Sequence, residues 1–222
     1  MEDSTPEDRT NGSIRPPADV AGTDAPASYH ALLKAAITHF AQKGFDGTRI
    51  EAVAREANYH KSLVYRHFGD KEGLFKAALR QKLDERIRML PDSPLVLADV
   101  MYSYFTETLR DREYIRMIIG EAMCHDADAV IDEDWRYEYY RKHTELVKHA
   151  QKQGNLPDSI EPDFLMLMIT SIILFPAALP QVAKMLTGYS PESQEFQQRW
   201  RSAVKSLEDA LRLSITTDPA SS

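Results

Sequence analysis

The sequence predicts an all-α fold, with a three-helix unit near the N-terminus and a larger helical domain after it. Apolar residues recur at spacings of three and four from Leu33 to Leu211, which is the period of one buried helix face. Glycine and proline residues separate these segments at intervals typical of helix lengths. No part of the sequence shows a convincing alternation of apolar and polar residues, the pattern of a half-buried strand.

The composition is that of an ordinary globular chain, because 43% of the 222 residues are hydrophobic and 27% are charged. A single cysteine, Cys124, excludes an internal disulfide framework and fits a reducing compartment. The first residues lack the apolar core of a secretory signal. The most apolar run, residues 164–175, is too short to cross a bilayer. We therefore expect a cytoplasmic protein without membrane association.

Composition and periodicity divide the chain into four segments. Residues 1–27 contain four prolines and few large apolar side chains, so we expect a disordered tail. Residues 28–75 form the predicted three-helix unit, and residues 76–215 form the larger helical domain. Residues 216–222 are expected to be a flexible C-terminus.

Capping residues indicate where the helices of the first unit begin. Ser28 is predicted to cap the first helix, and Thr48 with Glu51 is predicted to form a capping box for the second. Asn58 follows the second helix and tolerates the left-handed backbone that a tight turn needs. Asp70 is predicted to cap the fourth helix.

The third helix, at about residues 61–68, has too few apolar positions for a core helix. Val64 and Phe68 anchor it, and most of its other residues are polar, basic or aromatic. Residues 28–80 carry nine Lys or Arg against five Asp or Glu, a net charge of +4, although the whole chain carries −7. A basic excess beside a pair of short helices is the electrostatic pattern of a DNA-contacting module, with chance segregation of a few charges as the alternative. We therefore predict that this helix enters the major groove of DNA.

The stretch 33–74 resembles the DNA-binding domain of the TetR family of bacterial transcriptional regulators. Its most specific part is Tyr65-x-His67-Phe68 followed by Lys71-Glu72. The matching residues are Ala36, Phe40, Gly44, Phe45, Thr48, Ile50, Val53, Ala54, Ala57, Val64, Tyr65, His67, Phe68, Lys71, Glu72 and Leu74.

The resemblance implies roles for particular residues. Those near the start of the second helix approach phosphates, those at the end of the third helix clamp the DNA backbone, and residues 59–63 with Arg66 read bases. The predicted DNA-contacting residues are Thr48, Arg49, Tyr59, His60, Lys61, Ser62, Leu63, Tyr65, Arg66, His67 and Lys71. The chain has Asn58-Tyr59-His60 where the family usually has Gly-Val-Ser. This departure leaves two alternatives open. Either the turn geometry and the family roles of residues 59 and 60 differ in this chain, or these residues mark an unusual operator preference.

The larger domain carries two further predictions. Residues 101–147 are rich in aromatic and sulfur side chains, which suits either an inducer pocket or plain core. The predicted ligand-binding residues are Tyr102, Phe105, Met117, Met123, Trp135 and Tyr139. The helices at about 163–175 and 192–215 are predicted to form a four-helix homodimer interface, with packing inside one subunit as the alternative.

The leading hypothesis is a ligand-responsive, homodimeric transcriptional repressor that binds a near-palindromic double-stranded operator and is released by a small, largely apolar inducer. One alternative is an all-helical ligand-binding protein or enzyme whose DNA-binding motif is no longer functional, and another is a helical interaction protein. The chain carries no nucleophile motif and no phosphate-binding glycine loop, so we predict no enzyme and no cofactor. The acidic run 125–134 lacks the central glycine and terminal glutamate of a calcium loop, and Cys124 lacks partners at zinc-ligand spacing, so we predict no metal site.

Overall fold

The computed structural model describes residues 26–88, 97–126 and 128–216, and these residues form ten helices and no strand. The prediction of an all-α fold is therefore confirmed. The predicted disordered tail and flexible C-terminus lie almost wholly outside the described residues. The helices are α1 Ala27–Gly47, α2 Ile50–Glu56, α3 Ser62–Phe68, α4 Lys71–Ile87, α5 Leu97–Arg110, α6 Glu113–Ala122, α7 Glu133–Lys152, α8 Pro162–Ala178, α9 Pro180–Thr187 and α10 Gln194–Thr216.

Helices α2, α3, α4 and α6 pack against α1 and share one apolar core with Ile131 and Tyr139, and we call this part of the molecule the head. Phe40 is fully buried, and its ring meets that of Phe75 edge to face with the centroids 5.0 Å apart. Val64 and Phe68 hold α3 against this core with 0% and 7% of their surfaces exposed, as the sequence predicts. The remaining residues of α3 are thereby left to face solvent or the edge of the core.

The helix ends match the predicted caps only in part. Asp70 accepts a hydrogen bond from the backbone of Gly73 at 2.7 Å, and Asn58 adopts the predicted left-handed conformation with φ of 61°. Ser28 is not the cap of α1, because the helix starts at Ala27. Thr48 forms no capping box, since its hydroxyl donates to the carbonyl oxygen of Gly44 at 2.8 Å. Both residues were predicted from local spacing, and both hydroxyls serve other partners.

The second core lies between α5, α8, α9 and α10, and we call this part the body. Helix α5 packs against both α8 and α10. Phe105 is fully buried and stacks on Trp200, with ring centroids 4.4 Å apart. The helix predicted at about 163–175 corresponds to α8, and a separate helix, α9, starts at Pro180, which lacks the N–H that would continue α8.

Within the described residues, no single helix is both long enough and apolar enough to span a membrane. Helices α8 and α9 together meet that criterion by length and composition, but they are bent by 93° at their junction.

Helix α4 runs across the predicted domain boundary between residues 75 and 76 and reaches the body at Arg86, whose Nη1 donates to the hydroxyl of Thr108 on α5 at 3.0 Å. Arg80 of α4 donates from Nε and Nη2 to the carboxylate of Asp132, at 2.6 and 2.8 Å. Its guanidinium also lies over the ring of Trp135, 5.1 Å from the centroid. Because a bidentate pair restricts orientation as well as distance, these contacts hold α4 against the start of α7.

His143 of α7 is 8% exposed, and its Nδ1 lies 2.9 Å from the carbonyl oxygen of Tyr139. Burial lowers the pKa of His143 below its usual 6.5, the hydrogen bond to Tyr139 opposes this shift, and the charge of Arg86 adds to it. The neutral ring therefore donates its Nδ1 hydrogen to that carbonyl.

This titration predicts an acid-sensitive fold. The unfolded chain binds a proton at His143 more readily than the folded chain does, so the stability from this residue is complete above pH 6.5 and is lost as the pH falls through the lower folded pKa. We expect the melting temperature to fall between about pH 7.5 and about pH 5, and to fall less for His143→Gln. The control is His149→Gln, an exposed histidine of the same helix. Equal pH dependence in both variants would contradict the assignment to His143.

Candidate nucleic-acid interface

The α2–turn–α3 unit keeps a tight turn although its sequence departs from the family pattern. Asn58 supplies the left-handed residue of the turn, and the backbone N–H of Tyr59 donates to the carbonyl oxygen of Ala54 at 2.9 Å. Asparagine is one of the few residues besides glycine that adopt this conformation at low cost. The substitution at 58 therefore preserves the backbone path that places α3 next to α2.

His60 serves the start of α3 in place of a serine cap. Its Nδ1 accepts from the backbone N–H of Ser62 at 3.3 Å and lies 2.9 Å from the hydroxyl of the same residue. Lys61 reaches back across the turn to Glu51, with Nζ and Oε1 3.2 Å apart. The N-terminal end of α3 is thus ordered by side chains that also face outward.

The predicted DNA-contacting residues differ in exposure. Leu63, His67 and Lys71 are half-buried. Thr48 is 2% exposed and its hydroxyl donates to the carbonyl oxygen of Gly44, so its side chain is not accessible on the predicted DNA-binding surface. Seven of the set are exposed: Arg49, Tyr59, His60, Lys61, Ser62, Tyr65 and Arg66.

His67 is oriented by a residue that sequence reasoning did not assign to the site. Its Nε2 lies 2.9 Å from the hydroxyl of Ser28, and its ring meets that of Tyr29 edge to face at 5.9 Å. Burial, and then the charge of Arg66, lower the pKa of His67, which keeps the ring neutral. No local pattern signals the pair of Ser28 and His67, because the two residues are separated by 39 positions.

Lys71 occupies the first position of α4, where a cation is unfavourable with the helix dipole. Its Nζ donates to the carbonyl oxygen of Asp46 at 3.2 Å and lies 4.7 Å from the ring centroid of Phe45. These contacts hold the ammonium at the corner between α1 and α4. A phosphate at that corner would be favoured both by the lysine and by the helix N-terminus.

The six predicted ligand-binding residues do not gather at one place. Trp135 and Tyr139 stack with centroids 5.8 Å apart, whereas Phe105 belongs to the core of the body. Met117 is buried in the core of the head, and Tyr102 lies under the guanidinium of Arg201 on α10. Met123 follows the last residue of α6 and is 81% exposed, so its side chain faces solvent in this structure.

An open cleft of about 480 Å³ lies where the head meets the loop between α6 and α7. None of the six predicted ligand-binding residues lines it. Its lining is mostly polar or acidic: Phe45, Glu72, Lys76, His125, Ala129, Val130, Ile131, Asp132, Glu133 and Asp134. Ligand pockets for apolar molecules are concave and mostly apolar, so this open, polar cleft does not resemble the predicted inducer site.

Two family models match the chain. Residues 32–78 match the model described as bacterial regulatory proteins of the tetR family, and residues 97–207, half of the chain, match the tetracyclin repressor-like C-terminal domain. An HTH-type transcriptional repressor of Streptomyces coelicolor is 25% identical over 169 residues, which cover 76% of this chain and 88% of the relative. The negative transcriptional regulator IcaR of the biofilm operon of Staphylococcus aureus is 30% identical over 93 residues, which cover 40% of this chain and 50% of the relative.

Solved structures show the same fold. A transcriptional regulator of Streptomyces coelicolor superposes with a TM-score of 0.68 at 19% identity, covering 81% of this chain and 97% of its own. A TetR-family regulator of Pseudomonas syringae superposes with a TM-score of 0.59 at 21% identity, covering 85% and 97%. With an N-terminal match that contains the helix-turn-helix unit and a C-terminal match over half of the sequence, the chain belongs to the TetR family of bacterial regulatory proteins.

Proposed function

We propose that the protein is a homodimeric transcriptional repressor that binds a near-palindromic operator and dissociates from it when a small molecule binds the body. We assign DNA binding to residues 28–75, and ligand binding and dimerisation to residues 76–215. The observation that carries the proposal is the exposure of polar and aromatic side chains on the turn and on α3, a helix that Val64 and Phe68 hold against the core: Tyr59, His60, Lys61, Ser62, Tyr65 and Arg66. Side chains at the N-terminal part of such a helix reach base edges in the major groove. The intact turn at Asn58 argues against a decayed motif.

A second observation supports the homodimer. Helix α8 is apolar on two faces: Leu165, Ile169 and Ile173 are buried within the subunit, whereas the opposite face is exposed. On that exposed face Phe164, Leu167, Met168 and Phe175 have between 43% and 60% of their surfaces exposed. Large exposed apolar patches mark association surfaces, and two heads on one dimer match two half-sites of an operator.

Helix α10 also has one apolar face buried within the subunit and a smaller apolar face that is exposed. Phe196 and Val204 face the body, while Leu207 is 42% exposed and has the exposed Ala203 and Ala210 on the same side. Side chains beyond Leu211 lie outside the described residues. We infer that the exposed sides of α8 and α10, within residues 163–175 and 192–215, form the subunit interface.

The test of DNA binding is a gel-shift titration of the duplex upstream of the protein's own gene. The double variant Tyr65→Ala, Lys71→Ala removes one aromatic and one cationic contact in each subunit. Because each such contact is worth about 1–3 kcal/mol, we expect a loss of affinity of roughly 100-fold or more. The salt dependence should also weaken, since fewer phosphates are neutralised.

The matched control is Tyr137→Ala, Lys142→Ala, which removes an exposed tyrosine and an exposed lysine from α7, outside the predicted DNA-binding residues. This control should bind the duplex as the wild type does. If the wild type binds no duplex at low salt, or if both double variants bind alike, the proposed function is wrong.

A further inference from the structure

Arg86 lies inside the protein, at the end of α4 and between the two cores. It is 8% exposed, and its guanidinium lies over the rings of Tyr114 and Tyr104, with Cζ 4.6 and 5.4 Å from their centroids. Tyr114 belongs to the core of the head, and Tyr104 belongs to the core of the body. The guanidinium therefore occupies the seam between the two halves of the subunit.

This buried cation has no carboxylate partner within the part of the chain that the structure describes. Its Nη1 donates to the hydroxyl of Thr108 at 3.0 Å, and no other hydrogen bond from its guanidinium to these residues is formed. The other buried arginine of this region, Arg136, is paired with Glu121, with Nη1 and Oε2 2.6 Å apart. A charge removed from water is costly unless it is paired, and the tyrosine faces compensate only in part.

Neutral hydrogen-bonding groups surround the cation. Burial raises the pKa of Tyr104 to about 12 and raises the pKa of Tyr114 as well, so both phenols keep their protons at neutral pH. The hydroxyls of Tyr114 and Tyr140 are 3.4 Å apart. Burial also raises the pKa of Tyr139. The charge of Arg86 opposes this rise, and the charge of Asp84 adds to it. The hydroxyl of Tyr104 donates to the backbone carbonyl oxygen of Arg86 at 3.1 Å. The seam thus combines one permanent positive charge with protonated phenols and aromatic rings.

We propose that this seam binds the inducer, and that the inducer is a small carboxylate with a flat, apolar body. The inference rests on the proposed function and specifies its ligand. A carboxylate is the planar anion that matches the fork of a guanidinium with two parallel hydrogen bonds. Aromatic rings from three helices, those of Tyr104, Tyr114 and Tyr139, offer surfaces for an unsaturated or aromatic body.

The position of the site explains how occupancy reaches the DNA. Arg86 is near the C-terminal end of α4, and Lys71 is the first residue of the same continuous helix. A ligand that pairs with Arg86 while resting on rings of both cores changes the contacts that hold α4 between head and body. A ligand shifts the equilibrium between two positions of α4 only if it binds one of them more tightly than the other.

The experiment measures binding of three aromatic carboxylates, benzoate, cinnamate and indole-3-acetate, and of their three neutral amides to the full chain by calorimetry and thermal denaturation. We expect at least one carboxylate to bind and to raise the melting temperature, and its amide to bind far more weakly. Arg86→Gln should lower the binding affinity for that carboxylate by about 10- to 100-fold, because a charge-assisted pair is lost. The control Arg88→Gln, an exposed arginine two residues further on, should bind as the wild type does.

Two further measurements keep the outcome decisive. Arg86→Lys keeps the positive charge, so this variant should still bind the carboxylate more tightly than its amide. It supplies the test if Arg86→Gln does not fold. A gel shift without ligand tests DNA binding separately, so that failure of the proposed function is distinguishable from failure of the ligand assignment. The assignment is overturned if no carboxylate binds, if acids and amides bind equally, or if Arg88→Gln loses as much affinity as Arg86→Gln.

Discussion

Replacing Glu121 by alanine is expected to lower the free energy of unfolding by about 3–5 kcal/mol, the usual cost of breaking a buried ion pair from one side. The side chains of Glu121 and Arg136 are 5% and 10% exposed. Glu121 also accepts from the backbone N–H of Ile131 at 3.1 Å. The substitution leaves a buried guanidinium without its counterion and a buried N–H without its acceptor. Since a typical domain is stable by only about 5–15 kcal/mol, much of the folded population would be lost.

Urea unfolding followed by circular dichroism measures this effect. The double variant Glu121→Leu, Arg136→Met should recover much of the loss, because apolar side chains of similar size replace a buried pair at little cost. The control is Glu138→Ala, which removes the exposed partner of Arg141 and should change the unfolding midpoint little. If Glu121→Ala and Glu138→Ala unfold at the same urea concentration, the buried pair of Glu121 and Arg136 does not stabilise the fold.

Replacing Leu167 by glutamate is expected to convert the proposed dimer into monomers of 25.3 kDa. Leu167 lies on the exposed face of α8 with 60% of its surface accessible, so the charge is tolerated by the subunit itself. In the proposed apolar interface, the same charge would be desolvated without a partner. Light scattering after size-exclusion chromatography measures the mass directly. Operator affinity should fall by about 100-fold or more, because the two heads no longer bind as one unit.

The control for this variant is Met185→Glu, on α9. Met185 is 77% exposed, so it receives the same charge on an apolar surface outside the proposed interface. This variant should stay dimeric and bind DNA as the wild type does. A dimeric Leu167→Glu together with a monomeric Met185→Glu would place the interface on α9 instead of α8.

Local chemistry made several features predictable from the sequence. The three-and-four periodicity indicates helices, because a buried helix face repeats with that period whatever it packs against. Asp70 and Asn58 were predicted correctly because a cap or a left-handed turn depends on neighbouring residues. The same local reasoning failed for Thr48, because its hydroxyl donates to the carbonyl oxygen of Gly44 and does not cap α2.

The sequence by itself determined that the chain is helical, that it contains a helix-turn-helix unit and that it resembles the TetR family. These properties depend on residues within about one or two helical turns of each other. Only the tertiary structure decided which distant polar side chains meet. Arg80 pairs with Asp132 and His67 meets Ser28, although 52 and 39 positions separate the partners. It also placed Arg86 in the seam between two cores, because burial of a side chain depends on every helix packed around it.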